Sequence, residues 1–418
     1  MKLGNVGRTI HLGIIGLGSR SNDYFNSLLD MKDVVIDAVC DVYQDRVEKA
    51  QERVEKATGK RPAGTLRYQD VNAMEGMEAV IILTSWQTHI PIAIDAIRQG
   101  KIPGLEVGGA TSVEDCWALV HESELRHIPV MLLENCCYNR EEMTLLHMIR
   151  EGVFGEMVHC RGGYQHDLRE EIGMGDVNRH YRLDNFMHRN GELYPAHEVG
   201  PIACYLRLNR GNRMTKLVSM SSKSLGEHLW LKEHRPDAPH ADVRFNEGDV
   251  VTTMISCANG ETIMLTHDCT LARPYSRGGY VQGTKGVWEE DGRLIYLEGS
   301  TKPTKHGEHL FESDKPYMDK YMHPLWKEYD EFGLRGGHGG MDFLVLRAFI
   351  ECIQEHKEFP IDVYDAATWM AITCLSEQSI ALGSAPVAFP DFTGGKWMKR
   401  EKRPADMFSL DEVYPEVF

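Results

Sequence analysis

The residues near the amino terminus whose types and spacing could do chemistry are two glycines and an aspartate. Gly16 and Gly18 follow an apolar run and precede Ser19 and Arg20, with serine rather than glycine at position 21. Glycines at this spacing allow a tight turn and a close approach of the backbone to a pyrophosphate, which the start of a following helix attracts. Asp41 ends the next apolar run, 23 residues after Gly18, where a carboxylate accepts ribose hydroxyls and repels a 2′-phosphate. The pattern predicts a site for NAD rather than NADP; a chance Gly-x-Gly and a solvated strand end are the alternatives.

The elements that must position these residues are short apolar runs alternating with amphipathic stretches, which is typical of a parallel sheet with crossover helices. We predict strands at 11–15, 34–40, 79–83, 104–107 and 130–133, and helices at 21–31, 46–58, 90–99 and 112–126. Two later strand ends carry polar and aromatic residues at the edge where such sheets bind ligands: Trp86, Gln87, Thr88 and His89 after the third strand, and Glu106 and Val107 after the fourth. Ordinary packing and a helix cap are the alternatives for Trp86 and His89.

The second half of the chain has a different texture. After a helix at 141–151, strands with hairpin turns follow: 250–257, 261–267, 279–281, 286–290 and 293–297. Asn259-Gly260 predicts a type I′ turn, and Asp291-Gly292 repeats the pattern. Residues 227–249 and 299–340 are placed in loops, helices at 341–357 and 365–382, and a tail at 383–418. The fold class is therefore α/β, with a Rossmann doubly wound parallel sheet over residues 1–135 and an α+β domain with an open, mainly antiparallel sheet over 136–418.

Composition excludes several classes of protein. The 418 residues carry a net charge of −16, which repels nucleic acid and anionic membranes. No apolar run reaches the length of a membrane span, and the amino terminus does not read as a signal peptide, so we expect a cytoplasmic protein. Ten scattered cysteines do not form a disulfide pattern. His306 with His309, His234 with His240, and His338 lack the spacing of a metal site, so no metal is expected.

A Rossmann half followed by an open antiparallel sheet resembles the glucose–fructose oxidoreductase family. Those proteins usually carry a lysine where this chain has Val107, and a valine cannot transfer protons, which argues against an ordinary sugar dehydrogenase. Seven motifs resemble the NAD-dependent α-N-acetylgalactosaminidases of glycoside hydrolase family 109 over nearly the whole chain. They are Glu134–Tyr138, Gly163–Arg169, Arg189–Pro195, Thr266–Asp268, Arg273–Tyr275, His323–Trp326 and Gly337–Asp342.

This resemblance implies two sets of site residues. Those facing NAD are Gly16, Gly18, Ser19, Arg20, Asp41, Trp86, Gln87, Thr88, His89, Glu106, Val107, Asn135, Arg182, Tyr194, Pro195, Ala196 and His197. Those facing the sugar are Tyr164, Tyr194 and Tyr275. We add His166, two residues from Tyr164 on the same side of a strand, and the cation Arg182 to the sugar site, and expect Tyr164, His197 and Tyr194 to be the catalytic group. The family tends to have Tyr-Pro-Thr-His-Gly where this chain has Tyr194-Pro195-Ala196-His197-Glu198, so Glu198 could alter the histidine or meet a different sugar hydroxyl.

The chemistry that the resemblance implies is hydrolysis through transient oxidation. Tightly bound NAD⁺ takes hydride from C3, the C2 proton becomes acidic, the C1 substituent leaves by elimination, water adds, and the hydride returns, so the cofactor is recycled. We expect His197 to be the base at the C3 hydroxyl. Tyr164, with its pKa lowered by Arg182, or His166 is the base at C2.

The alternatives are a net NAD-dependent sugar dehydrogenase and a non-catalytic NAD-binding sensor. The expected partners are a small-molecule or glycan substrate and, through the second sheet, a further copy of the chain in a homo-oligomer.

Overall fold

The computed structural model describes Leu3 and residues 6–333, 336–400, 403 and 405–413. The chain divides into two compact units. The first comprises residues 1–140, 323–368 and 402–418, and the second comprises 141–322 and 369–401. The first unit thus includes two late segments that the sequence analysis assigned to the second domain.

The strands and helices are numbered in chain order. The strands are β1 (Ile10–Ile15), β2 (Val34–Cys40), β3 (Ala63–Thr65), β4 (Ala79–Ile82), β5 (Ile102–Leu105), β6 (Met131–Leu132), β7 (Met157–Gln165), β8 (Met214–Ser221), β9 (Val250–Cys257), β10 (Thr262–Asp268), β11 (Tyr280–Gly283), β12 (Gly286–Glu289), β13 (Leu294–Leu297), β14 (Glu312–Ser313) and β15 (Val387–Ala388). The α-helices are α1 (Ser21–Leu29), α2 (Gln44–Thr58), α3 (Tyr68–Asn72), α4 (Trp86–Arg98), α5 (Val113–Arg126), α6 (Arg140–Arg150), α7 (Arg169–Gly173), α8 (Gly175–Asn178), α9 (Arg182–His188), α10 (Ala196–Tyr205), α11 (Gly226–His234), α12 (Lys315–Lys320), α13 (Pro324–Phe332), α14 (Met341–Glu355) and α15 (Val363–Ala381).

The first unit is built on a parallel sheet in the order β3-β2-β1-β4-β5-β6. Its central strands are apolar and buried, as in β4, where all four residues are buried, because helices cover both faces of such a sheet. β1 lies between β2 and β4, the point where the strand order reverses. Ligands bind doubly wound sheets at that point, beyond the carboxyl ends of the strands. The predicted Rossmann architecture is confirmed.

The second unit is built on a nine-stranded sheet in the order β14-β13-β12-β11-β7-β10-β9-β8-β15. Adjacent strands of this sheet run antiparallel to each other, except for β7 and β10, which run parallel. Burial alternates along β10, from half-buried Thr262 to buried Ile263 and onward, as expected when one face packs on a core. The predicted open, mainly antiparallel sheet is confirmed.

The two predicted type I′ turns are wrong. Gly260 has a φ of 104°, but Asn259 keeps a negative φ because tertiary contacts hold it: its N–H donates to Asn212 Oδ1 and its amide to the Gly211 carbonyl. At the second turn the positive φ belongs to Arg293 (51°) rather than to the Asp-Gly pair. Each turn therefore has one left-handed residue instead of two.

Three segments predicted as loops or tail contain regular structure. α11 lies within 227–249, apart from its first residue, and α12 and α13 lie within 299–340. In the predicted tail, β15 pairs with β8, and Phe389, Phe392 and Phe408 are buried. Apolar residues of these elements, such as Leu325 and Trp326 in α13, are buried, so tertiary packing contributes to their stability.

No helix in the described part of the chain has the length and apolar character needed to cross a membrane. No disulfide joins the ten cysteines, all of which the structure describes, as the sequence predicted. The cytoplasmic location and self-association stay predictions.

Candidate cofactor and sugar sites

The loop after β1 has the geometry that its glycines predict. Gly16 has a φ of 97°, and a Cβ there would lie 2.5 Å from the Leu83 carbonyl carbon, so only glycine is compatible with this turn. Around Gly18 the nearest atom to an added Cβ is Arg46 Nη1 at 3.8 Å. The hydroxyl of Ser21, at the third fingerprint position, donates to the Gly18 carbonyl at 2.7 Å. The loop is therefore closed on the sheet side and open over Gly18, where a phosphate would approach.

Asp41 is fixed beside this loop by backbone donors. Its Oδ2 accepts the Leu17 N–H at 2.7 Å and its Oδ1 accepts the Tyr43 N–H at 3.0 Å. The sequence analysis did not single out Arg46. Its Nη1 lies 3.6 Å from Asp41 Oδ2, and its Cζ lies 4.8 Å from the centroid of the Tyr43 ring. The carboxylate thus stands where the fingerprint requires a ribose acceptor.

Three of the residues predicted to face the cofactor have a buried polar atom with no hydrogen-bond partner among the residues described. These atoms are His89 Nδ1, Glu106 Oε2 and Asn135 Oδ1. Burial lowers the pKa of His89 to about 4, and its other nitrogen lies 2.9 Å from the Thr84 carbonyl, which leaves Nδ1 as an acceptor. Buried polar atoms normally have partners, so a hydroxyl- and amide-bearing ligand such as NAD fits these residues.

The remaining residues of this set surround the same strand ends. Trp86 starts α4 and is buried; a Cβ on Gly108 would lie 2.3 Å from its ring, so the indole lies against the chain just after buried Val107. The Thr88 hydroxyl donates to the Ser85 carbonyl at 2.9 Å in the first turn of α4, while Gln87 is half-buried and Ser19 is exposed.

Arg20 is held by acidic side chains of the first unit, and its contact with NAD stays a prediction. Its guanidinium donates to both oxygens of Asp342, at 3.0 and 2.8 Å, and its Nε to Glu106 Oε1 at 3.3 Å. Asp342 Oδ1 also accepts from Asn135 Nδ2 at 2.8 Å. Arg20 and Asp342 therefore hold Glu106 and Asn135 in place, and the sequence analysis named Asp342 only as part of a motif.

Asp23, His338 and Asp342 present ligand-type atoms within 4.8 Å of one another, an arrangement that spacing along the chain did not predict. His338 Nδ1 lies 2.7 Å from Asp342 Oδ2. Although burial opposes it, His338 and Arg20 hold the pKa of Asp342 well below its ordinary value. This carboxylate is thus already paired within the protein, with His338 and Arg20.

In the second unit, the predicted sugar residues form one aromatic cluster. Tyr164 lies at the end of β7, His197 in the first turn of α10, Tyr194 two residues before that helix, and Tyr275 in the loop before β11. The Tyr164 ring centroid lies 4.6 Å from that of Tyr194, 5.6 Å from His197, 5.9 Å from His166 and 6.4 Å from Tyr275. Tyr164 and Tyr194 are buried and Tyr275 is half exposed, so the cluster is open at Tyr275.

Arg182 is the cation of this cluster. Its Cζ lies 5.6 Å from the Tyr164 ring centroid and 5.2 Å from that of Tyr194, and Nη1 donates to Glu171 Oε1 at 2.9 Å. Burial raises the pKa of Tyr164, and Arg182 offsets only part of that rise. The cation thus acts in the predicted direction, but burial is the larger effect and the phenol is protonated near neutral pH.

His166 and Glu198 complete the local electrostatics. Burial and Arg182 lower the pKa of His166, so its imidazole is neutral at pH 7, with Nδ1 3.4 Å from the Tyr164 hydroxyl. Glu198 is buried with its side-chain carbons against β7, where a Cβ on Gly162 would lie 2.2 Å from Glu198 Cβ. Pro195 and Ala196 are also buried and begin the helix that carries His197.

Arg182, Tyr194, Pro195, Ala196 and His197 belong to the second unit. Their contact with NAD stays a prediction. The other residues predicted to face NAD belong to the first unit.

Comparison with known proteins gives the family of both units. Residues 10–132 match the oxidoreductase family with an NAD-binding Rossmann fold, and residues 138–399 match the C-terminal domain of glycosyl hydrolase 109. An α-N-acetylgalactosaminidase of Tannerella forsythia is 40% identical, covering 94% of this chain and 88% of that protein. One of Shewanella oneidensis is 37% identical over 93% and 86% of the two chains.

The solved structure of myo-inositol 2-dehydrogenase from Lactobacillus plantarum shares the fold, with a TM-score of 0.65 at 14% identity, covering 92% of this chain and all of that one. The family models and the relatives agree along nearly the whole length. The chain belongs to glycosyl hydrolase family 109, and its residues 10–132 form an NAD-binding Rossmann domain.

Proposed function

We propose that this NAD-dependent glycoside hydrolase cleaves α-N-acetylgalactosaminides, or a closely related glycoside, with a tightly held NAD that is regenerated in each turnover. The relatives named α-N-acetylgalactosaminidase support the sugar class. The observation that carries the proposal is the set of buried acceptors at His89, Glu106 and Asn135, since a hydrolase that worked by simple displacement would need no dinucleotide there. Asp41 favours NAD because its carboxylate repels a 2′-phosphate.

When bound, NAD⁺ accepts hydride from C3 of the sugar and returns it after the glycosidic bond is cleaved. His197 is the base that takes the proton of the C3 hydroxyl, because histidine is the side chain that most often acts as a general base. The ketone at C3 acidifies the C2 hydrogen, since the resulting carbanion delocalises onto the ketone oxygen as an enolate.

Tyr164 and His166 act together as the base at C2. The Tyr164 hydroxyl gives its proton to His166 Nδ1, 3.4 Å away, and the phenolate oxygen takes the C2 proton. Arg182 stabilises the transient phenolate, because its cation lies within 6 Å of the ring. Elimination then expels the C1 substituent, which can recover a proton from the imidazolium of His166, and water adds to the unsaturated ketone.

Tyr194 and Tyr275 bind and orient the sugar. Aromatic rings pack against the apolar face of a pyranose, and tyrosine hydroxyls form hydrogen bonds with its polar edge. Tyr275 is 49% exposed, so it stands at the entrance of the cluster, whereas Tyr194 lies deep beside Tyr164 and Arg182.

The experiment that tests this function follows two products at once. Purified protein is given NAD⁺ and p-nitrophenyl α-N-acetylgalactosaminide, and nitrophenol and NADH are measured together. We expect nitrophenol without stoichiometric NADH, and a Tyr164→Phe variant that loses turnover. Tyr280→Phe is the matched control, since Tyr280 is another strand tyrosine of the same sheet. Accumulation of NADH with a free sugar would instead establish a net dehydrogenase, and equal activity of wild type and Tyr164→Phe would remove the tyrosine from the mechanism.

A further inference from the structure

The backbone of the segment that precedes Tyr194 forms hydrogen bonds with buried side chains. The Gly191 N–H donates to Glu247 Oε2 at 2.9 Å, and the Glu192 N–H donates to Ser376 Oγ at 2.7 Å. The Thr373 hydroxyl donates to the Glu192 carbonyl at 2.6 Å. The Glu192 carboxylate in turn accepts the Tyr194 N–H. Tyr194 is therefore placed by contacts of its neighbours rather than by its own ring alone.

Glu247, which accepts the Gly191 N–H, is also linked to the strand that carries Tyr164. His267 lies in β10, opposite Tyr164 in the parallel register with β7. Its Nδ1 is 3.1 Å from Glu247 Oε1, and its Nε2 is 3.5 Å from Cys269 Sγ. The Cys269 thiol donates to the Tyr164 carbonyl at 3.5 Å. A continuous chain of hydrogen bonds thus runs from Gly191 through Glu247, His267 and Cys269 to Tyr164.

The direction of these bonds fixes the protonation of His267. A carbonyl only accepts, so the thiol hydrogen points at Tyr164, and the sulfur must accept from Nε2–H. Nε2 therefore carries a proton, and Nδ1 faces the Glu247 carboxyl group. Burial lowers the pKa of His267, but Cys269 and Glu247 outweigh it and raise that pKa well above its ordinary value.

Glu247 and His267 are among the most buried charged groups of the unit, with 1% and 2% of their side chains exposed. Buried ion pairs seldom add much net stability, because desolvation offsets the attraction. A role in fixing the conformation of the site explains the Glu247–His267 ion pair better, since each partner is hydrogen-bonded to a segment that leads to a site tyrosine.

We propose that Glu192, Glu247, His267 and Cys269 are positioning residues of the sugar site, which fix the Tyr164 main chain and the turn of Tyr194 relative to each other. None of the four side chains needs to touch the sugar. The effect on catalysis rests on the proposed function, whereas the effect on the backbone does not.

The first test uses cysteine variants, because truncation at a second buried cysteine provides a matched control. Cys269→Ala leaves the Tyr164 carbonyl without its donor, whereas Cys269→Ser keeps an O–H there. Cys160→Ala makes the same truncation in β7, four residues before Tyr164 and buried to the same degree. We expect Cys269→Ala to lower kcat about 10- to 100-fold with KM changed less than about threefold, since sub-ångström misplacement of a reacting group costs this much. Cys269→Ser should restore kcat, and Cys160→Ala should keep it; equal losses in the two alanine variants would overturn the proposal.

The second test does not depend on activity. Hydrogen exchange in the peptide that contains Gly191, Glu192 and Tyr194 is measured for wild type and Glu247→Gln, with Glu377→Gln as a control that breaks the neighbouring ion pair with Arg189. We expect Glu247→Gln to speed exchange of these amides and of the β7 peptide with Tyr164, because the amide cannot pair with a charged His267. Glu377→Gln should speed exchange only in the peptide that contains Gly191, Glu192 and Tyr194. Unchanged exchange at Tyr164 in Glu247→Gln would overturn the positioning role even if the glycosidase activity is confirmed, and faster exchange would support it even if another substrate is found.

Discussion

Glu227 is a buried carboxyl group, and its replacement distinguishes the oxidation–elimination route from direct displacement with a carboxylic acid as general acid. It lies in α11 with 1% of the residue exposed, and neither carboxyl oxygen has a hydrogen-bond partner within the described ranges. Burial raises its pKa to about 9, with Arg169 acting in the opposite direction. A carboxylic acid that stays neutral at pH 7 is also what a conventional glycosidase uses as its general acid.

The expected change in stability of Glu227→Gln follows from proton linkage. The folded protein keeps the Glu227 proton up to about pH 9, whereas the unfolded chain loses it near the ordinary value of 4.5. The wild type therefore loses stability as pH rises through this window, by about 1.4 kcal/mol per pH unit. Glutamine does not titrate, so the stability of the variant relative to wild type should grow by about 2.7 kcal/mol between pH 5.5 and 7.5.

Thermal unfolding at these two pH values measures the difference. In a unit of this size 2.7 kcal/mol corresponds to a relative rise in Tm of about 5–10 °C. Glu233→Gln is the control, because Glu233 is exposed on the same helix, and its Tm relative to wild type should not depend on pH. A relative Tm of Glu227→Gln that is the same at both pH values would refute the reasoning.

The same variant tests the chemistry. We expect Glu227→Gln to keep kcat within about twofold, because the oxidation–elimination route needs no carboxylic acid. A loss of about 100-fold or more in a folded variant, with KM retained, would make Glu227 the acid of a direct displacement.

Three further predictions concern the cofactor residues of the first unit and the sugar residues of the second. Gly16→Ala should lower the Tm, because its Cβ would lie 2.5 Å from a backbone atom. Gly18→Ala should keep the Tm but weaken NAD binding, measured by calorimetry, at least about tenfold, because a methyl group would block the approach of the phosphate. Normal NAD affinity in Gly18→Ala would exclude this loop as the phosphate site. Asp41→Asn should raise the Kd for NAD about 10- to 100-fold, as expected for lost hydrogen bonds to a charged group. The variant should also discriminate less between NAD and NADP, because it lacks the carboxylate that repels a 2′-phosphate; an unchanged ratio of the two Kd values would contradict this. Tyr164→Phe should lower kcat about 100- to 10,000-fold with Tm unchanged, and a loss that is no larger than that of Tyr280→Phe would contradict a proton-transfer role.

Features fixed by local sequence could be predicted and those fixed by distant contacts could not. The glycine loop and Asp41 follow from residues within 25 positions of each other, and the structure places them together at the carboxyl edge of β1 and β2. Arg20 was expected at the cofactor, but its partner Asp342 is 322 residues away. No local pattern reveals that such a partner exists.

The second unit shows the same limit. Tyr164 and Tyr194 were found through motifs, and their rings do meet. Arg182 lowers the pKa of Tyr164, as predicted. Burial raises this pKa by more, and the extent of burial depends on the whole surrounding core. Likewise Asn259-Gly260 predicts a type I′ turn in isolation, and the contacts of Asn259 with Gly211 and Asn212 override it.

The most direct test of the central claim is hydrolysis in D₂O. Purified protein with NAD⁺ is incubated with p-nitrophenyl α-N-acetylgalactosaminide, and the released sugar is analysed by mass spectrometry and NMR. If the reaction passes through a C3 ketone, the C2 proton exchanges and the sugar carries deuterium at C2. Release of a sugar that retains hydrogen at C2 would contradict the oxidation–elimination route and direct attention to a carboxylate pair.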